Sequence, residues 1–211
     1  MRLRASVVLA ASVVALITAM GACESRRCTE AEADGLVQQL RGLPTPLPGG
    51  AKLPPEEEKR RDIYEQLHTM ERCSVPSLAR ALQDPDVNMR RNATLALGAL
   101  GGGWWQFASW PSKIDTEAAL PALVTALQDS DEDVRAWAAQ AIGDIGPHAM
   151  TAVPALLKLL SEDSYSRISV FIALHGIGPS AKAALPALNP YLTDSDADVR
   201  KMAAWAVEAI Q

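Results

Sequence analysis

The chain has 211 residues, 48% of them hydrophobic and only 5% aromatic, with 25 acidic side chains against 20 basic ones for a formal net charge of −5. An acidic chain with no basic run lacks the clustered Lys and Arg that neutralise phosphates, which counts against nucleic acid as a partner. The same shortage leaves no electrostatic hold on an anionic lipid surface.

The first element is "MRLRASVVLAASVVALITAMGACESRRC". Arg2 and Arg4 precede an uncharged apolar run from Ala5 to Met20, then small residues Gly21 and Ala22, then Cys23. Basic start, apolar middle and small residues at a cleavage point make the layout of a secretory signal over residues 1–22. The stretch "AMGAC" resembles the bacterial lipoprotein signal, in which the cysteine after the small residues is lipidated and becomes the first mature residue. That resemblance implies an exported protein of the bacterial cell envelope, tethered on its periplasmic or surface side through lipid on Cys23. Cleavage after Gly21 would instead leave Cys23 a free thiol, and an uncleaved segment would be a short anchor.

Residues 23–73 read as a divergent helical pair. "TEAEADGLVQQLRGL" predicts a helix with Thr29 as N-cap and acidic residues in its first turn. "PPEEEKRRDIYEQLHTMER" predicts a second, with Ile63, Leu67 and Met70 at helical spacing and Pro55 near its start. Between them "GLPTPLPGGAKLPP" holds five of the fourteen prolines and reads as an extended connector. Antiparallel packing of the two helices would bring Cys28 beside Cys73. In an oxidising compartment these two are expected as a disulfide, against the alternative of two buried thiols.

From residue 74 to 211 the chain repeats itself. The segments are "VPSLARALQDPDVNMRRNATLALGALG", "LPALVTALQDSDEDVRAWAAQAIGDIG", "VPALLKLLSEDSYSRISVFIALHGIG" and "LPALNPYLTDSDADVRKMAAWAVEAIQ". Their prolines, Pro76, Pro121, Pro154 and Pro186, are 45, 33 and 32 residues apart. Each copy predicts a first helix with leucines four apart, such as Leu123 and Leu127 or Leu188 and Leu192. A second helix follows, striped by Val134, Ala138, Ala141, Ile142 and Ile145 in the second copy. Gly101, Gly146 and Gly178 are placed to close the second helices of the first three copies. Neither helix buries its stripe alone, whereas stacked neighbours bury a continuous core. The expected fold is all-α, an α-α superhelix of about four repeats plus the divergent N-terminal pair. Proline, Leu-x-x-x-Leu, an Asp-rich turn, Val-Arg and Ile-Gly resemble HEAT-like repeats, in particular the short variety first associated with phycobilisome lyases. The resemblance implies a binding scaffold more readily than an activity. The third copy departs from it with Ser166 and Ile168, the fourth with Glu208.

The column arginines Arg90, Arg135, Arg167 and Arg200 are expected to pair with aspartates of neighbouring turns, as the resemblance implies. "DSDEDV" and "DSDADV" place aspartates at the one-three-five spacing of an EF-hand loop. Val134 or Val199 stands where its glycine should be, and Gln140 or Ala206 where its bidentate glutamate should be. Helix capping is the simpler reading. His68, His148 and His175 are scattered, and no nucleophile elbow or phosphate-binding glycine loop is present. No catalytic residue, metal or cofactor is expected.

The longer first period is an insertion over residues 102–114, "GGWWQFASWPSKI", carrying Trp104, Trp105, Phe107 and Trp110. Insertions in repeat arrays map to one face, often the binding face, and tryptophans make good interface anchors. The plain alternative is that they fill space between repeats. Two and five places after each column arginine stand Asn92 and Leu95, Trp137 and Gln140, Ser169 and Ile172, Met202 and Trp205. Trp137, Met202 and Trp205 are the second set of candidate contacts. The expected function is therefore that of a lipid-anchored scaffold binding a protein partner. A chromophore-lyase-like activity and a purely structural spacer are the rivals.

Overall fold

The computed structural model describes residues 28–45, 55–70, 73–102 and 114–211. Cys23 with the signal-like segment, and Trp104, Trp105, Phe107 and Trp110, lie outside the described residues. Within them the chain is an all-α solenoid of five helix pairs, with no strand. The pairs are α1 (Glu30–Gln38) with α2 (Pro55–Thr69), α3 (Ser74–Ala81) with α4 (Val87–Leu100), α5 (Leu120–Ala126) with α6 (Glu132–Ile145), α7 (Val153–Glu162) with α8 (Arg167–Ile177), and α9 (Leu185–Leu188) with α10 (Ala197–Ile210).

Helix starts follow the capping chemistry of the sequence. Thr29 and Glu32 form a reciprocal capping box at α1. Asp86, Asp131 and Asp196 each accept backbone N–H groups at the start of α4, α6 and α10. The third copy is a residue short, and its N-cap Ser166 makes no capping bond through its side chain. Asp163 organises the turn ahead of that helix, accepting the Ser166 hydroxyl at 2.7 Å and the Tyr165 N–H at 2.9 Å. Gly146 and Gly178 end α6 and α8 at φ +80° and +63°, where other side chains are strained. Gly101 closes α4 as expected, but at φ −71°, and the left-handed position falls on Gly102 at +87°.

Odd-numbered and even-numbered helices form two layers, and one continuous core runs between them. Leu78, Leu123, Leu156 and Leu188 from the first helices are fully buried, as are Ala138, Ile142, Val170, Leu174, Ala203 and Ala206 from the second. Leu192 breaks the expected stripe and is 36% exposed. Pro190 removes an N–H donor there, and the chain tightens into a 3-10 helix at Asn189–Thr193 after only four α-helical residues. Tyr191 takes up the packing, its ring 5.5 Å from Phe171 and its hydroxyl donating to Leu160 O.

Candidate functional site

The turns between the paired helices line one edge of the array, and there the aspartates and arginines organise each other. Arg90 donates from Nε and Nη2 to both carboxylate oxygens of Asp129 in the next copy, at 2.7 and 2.9 Å. Its Nη1 meanwhile holds the carbonyls of Asp84 and Pro85 in its own turn. Arg135 repeats the pattern with Asp163 at 2.9 Å and the carbonyls of Asp129 and Ser130. Arg41 extends the ladder into the N-terminal pair by binding Asp84. Burial alone would push the carboxyls of Asp129, Asp131 and Asp163 up. Hydrogen bonds from arginines, from backbone N–H groups and, at Asp163, from Ser166 outweigh it and hold all three below the usual range. The rung from Arg167 to Asp194 is looser at 3.9 Å, and that guanidinium lies 5.2 Å from the Tyr191 ring. The EF-hand-like aspartates of the first such turn are thus occupied: Asp129 and Asp131 by arginine and N–H donors, Asp133 by Arg91 at 3.1 Å and by the Tyr165 hydroxyl at 2.6 Å. That bond to Asp133, with partial burial, pushes the Tyr165 phenol up to about 12.

The edge is therefore structural. The open surface lies on the side of the second-helix layer turned away from the first helices. Core positions in α6 (Val134, Ala138, Ala141, Ile142) define its inner side, and helical periodicity puts Asp133, Trp137 and Gln140 toward the other side or its flanks. Trp137 is half-buried, as are Ile172 on α8 and Met202 and Trp205 on α10. Gln140 Nε2 donates to Ser169 Oγ at 2.9 Å and bridges α6 to α8 in the middle of this row. His175 lies flat on Trp205, ring centroids 3.5 Å apart and planes 13° apart, and so ties α8 to α10. The structure brings Trp137, Met202 and Trp205 onto one layer of neighbouring helices. At the N-terminal end the row closes: Asn92 is buried and donates to the carbonyls of Leu40 and Leu43, and Leu95 is buried too. Sequence reasoning treated all four copies alike and missed this, because the partner segment is the divergent pair, which has no repeat pattern.

Cys28 and Cys73 are joined in a disulfide across 45 residues of sequence, with Cα atoms 6.1 Å apart. The insertion leaves after Gly102 and returns at Ile114, whose N–H donates to Leu100 O at 2.9 Å, so both its ends sit at the C-terminal end of α4. Of the histidines, His148 meets Glu117 at 2.9 Å on the surface, and His175 stacks on Trp205 of the open face. Among the described residues no group of three His, Cys, Asp or Glu side chains is arranged to hold a metal.

Residues 105–175 match the family model for HEAT repeats, and residues 184–211 match that for the HEAT repeat. No curated protein is a detectable relative of the chain in sequence. Among solved structures, the chain is similar to one in the complex of CpcE and CpcF of phycocyanin lyase from Nostoc sp. PCC7120. Identity is 24% and the TM-score 0.60, over 88% of this chain but 66% of that one. It is similar also to a designed armadillo repeat protein in complex with the peptide (KR)4, with 21% identity, a TM-score of 0.59, and 85% and 82% coverage. A computationally designed armadillo repeat protein for modular peptide recognition gives 22% identity, a TM-score of 0.57, and 85% and 82% coverage. At these identities the likeness is one of fold.

Proposed function

We propose that this protein is a non-catalytic helical-repeat scaffold that holds another protein against the open face of its second helices. We propose further that it does so from the bacterial envelope, tethered by lipid on Cys23. The observation that carries the reading is the row Trp137, Ile172, Met202 and Trp205. Large apolar side chains stay half-buried there while the core behind them is sealed and the turn edge is consumed by its own ion pairs. Half-buried tryptophan and methionine on rigid helices suit a binding face, since their area is available and little side-chain entropy remains to be lost. The solved neighbours agree in kind: one is in a complex of two proteins, another holds a peptide. Trp104, Trp105, Phe107 and Trp110 are a second proposed contact, because insertions between repeats often carry the binding residues and the ends of this one, Gly102 and Ile114, meet at the C-terminal end of α4.

The test is crosslinked capture from the host's own membranes with three proteins of checked helicity: wild type, a Trp137→Glu, Met202→Glu variant, and one lacking residues 103–113. A partner held by the first and lost by the second supports the face, and one lost by the third assigns recognition to the insertion. Identical capture by all three refutes both contacts. Detergent-phase partition of Cys23→Ser against wild type tests the anchor. A second reading, a chromophore-lyase-like activity, has the likeness to the phycocyanin lyase complex in its favour. It requires that the purified chain take up a bilin with a visible absorbance shift, and a colourless mixture removes it.

A further inference from the structure

The open face is framed by charge as well as lined with apolar groups, and this identifies the kind of chain it takes. We infer that its occupant is an extended protein segment with two large apolar side chains about five or six residues apart, flanked by Lys or Arg. This rests on the open face being the binding surface, as proposed above.

Along the N-terminal ends of the second helices, Glu132 and Asp198 are exposed and Asp133 is half-buried, with Tyr165, 48% exposed, between the copies. Near the C-terminal end of α10, Glu208 is exposed as well. Among the described residues Glu132, Asp198 and Glu208 have no ion-pair partner, whereas the turn-edge aspartates Asp84, Asp129, Asp131 and Asp163 are each taken by an arginine. Of the basic groups nearby, Arg91 is already held by Asp131 and Asp133, and Arg200 is turned onto the carbonyls of Asp194 and Ser195 in its own turn, which leaves that guanidinium and Lys201 at the far end against the three carboxylates. A face whose unpaired charges are mostly carboxylates attracts cations and repels an acidic segment. From residue 114 onward the array holds thirteen acidic side chains and six basic ones, so the field behind the face has the same sign.

Spacing follows from the floor. The Gln140–Ser169 bridge is a polar step between Trp137 on one side and the Ile172, Met202 and Trp205 group on the other. Helices α6 and α10 are two helix spacings apart, about 18 Å, which an extended chain covers in about five or six residues.

The experiment is fluorescence anisotropy with the full-length chain in a neutral detergent and labelled peptides of about twelve residues, long enough to cross the face. One peptide carries two leucines six apart with Lys and Arg between and around them, a second has Glu at every basic position, and a third has Ser for both leucines. The basic, leucine-bearing peptide is expected to bind at least about tenfold tighter than either other, and more weakly as salt rises from about 50 to about 300 mM. The Glu132→Gln, Asp198→Asn, Glu208→Gln variant should lose most of that preference with unchanged helicity and Tm. Equal binding of the Lys/Arg and Glu peptides overturns the charge assignment while leaving the face as the binding surface. Binding of none of the peptides overturns the inference. Whether the face reading survives that result is then read from capture by the Trp137→Glu, Met202→Glu variant.

Discussion

Asp129 serves two copies of the repeat at once. It accepts the Asp131 N–H within its own turn and both free edges of Arg90 from the copy before, with both side chains mostly buried. Asp129→Ala leaves Arg90 half-buried without its carboxylate, and hydrogen bonds to charged groups of this kind are worth about 1.5–3 kcal/mol. Denaturant melts should show a loss in that range, whereas Glu162→Ala, an exposed acid outside the ladder, should change stability by less than about 0.5 kcal/mol. The ladder has a pH signature. The carboxyls of Asp129, Asp131 and Asp163 titrate lower in the folded chain than in the unfolded one, so in acid the unfolded chain binds more protons. Their stabilisation is complete above the unfolded value near 3.9 and is lost as pH falls through the lower folded values. The stability gap between wild type and Asp129→Asn should therefore be constant from about pH 7 to about pH 5 and shrink below about pH 4. A gap that does not move with pH would sink this account.

Two glycines decide how closely the second helices stack. A Cβ on Gly176 would stand 2.3 Å from Gly143 O, and one on Gly143 would stand 2.7 Å from Ala173 Cα. Helices α6 and α8 thus touch backbone to backbone, and Gly143→Ala can be accommodated only by separating them. Overpacking of this sort costs about 1–3 kcal/mol, so Tm should fall by about 2–9 °C. In Gly35→Ala, where nothing lies within 4 Å of the added carbon, helix propensity should leave the chain unchanged or slightly more stable. The contrast shows what sequence patterns carry. Apolar spacing and proline starts announced the helices of all four copies, and aspartate caps those of three, because such signals are local and repeat. The contact between Gly143 and Gly176 was not announced, since a helix-interior glycine reads the same whether it weakens a helix or admits a neighbour. The early end of α9 was written in Pro190 but masked by the Leu188–Leu192 spacing, which fits an α-helix that the proline does not allow.

At the scale of the whole array, the main contacts among the described residues run between neighbouring copies, so stability is a chain of local couplings and its ends are the first to open. The N-terminal pair is held to the rest by the Cys28–Cys73 disulfide, by Arg80 on Glu30 and Asp34, by Arg41 on Asp84, and by Asn92 on the Leu40 and Leu43 carbonyls. The Arg80 pairs are largely exposed and contribute little. The same geometry limits how far the binding face could be read from sequence. Trp137, Met202 and Trp205 were picked out by column position, but the closure at Asn92 and Leu95 depends on a pair that follows no repeat. A disulfide closing a loop of this length stabilises by about 3–4 kcal/mol through the unfolded chain, so Cys28→Ser, Cys73→Ser should be less stable by about that much. The loss should be local: hydrogen exchange in the double variant should speed up across α1, α2 and the start of α3, while α6 and α8 keep their protection. Because α4 owes the cover of Asn92 to this pair, Leu95 should also become accessible, lengthening the apolar row by one copy. Faster exchange spread evenly through all five pairs would mean that the array unfolds as one unit and that the N-terminal pair is not a separable cap.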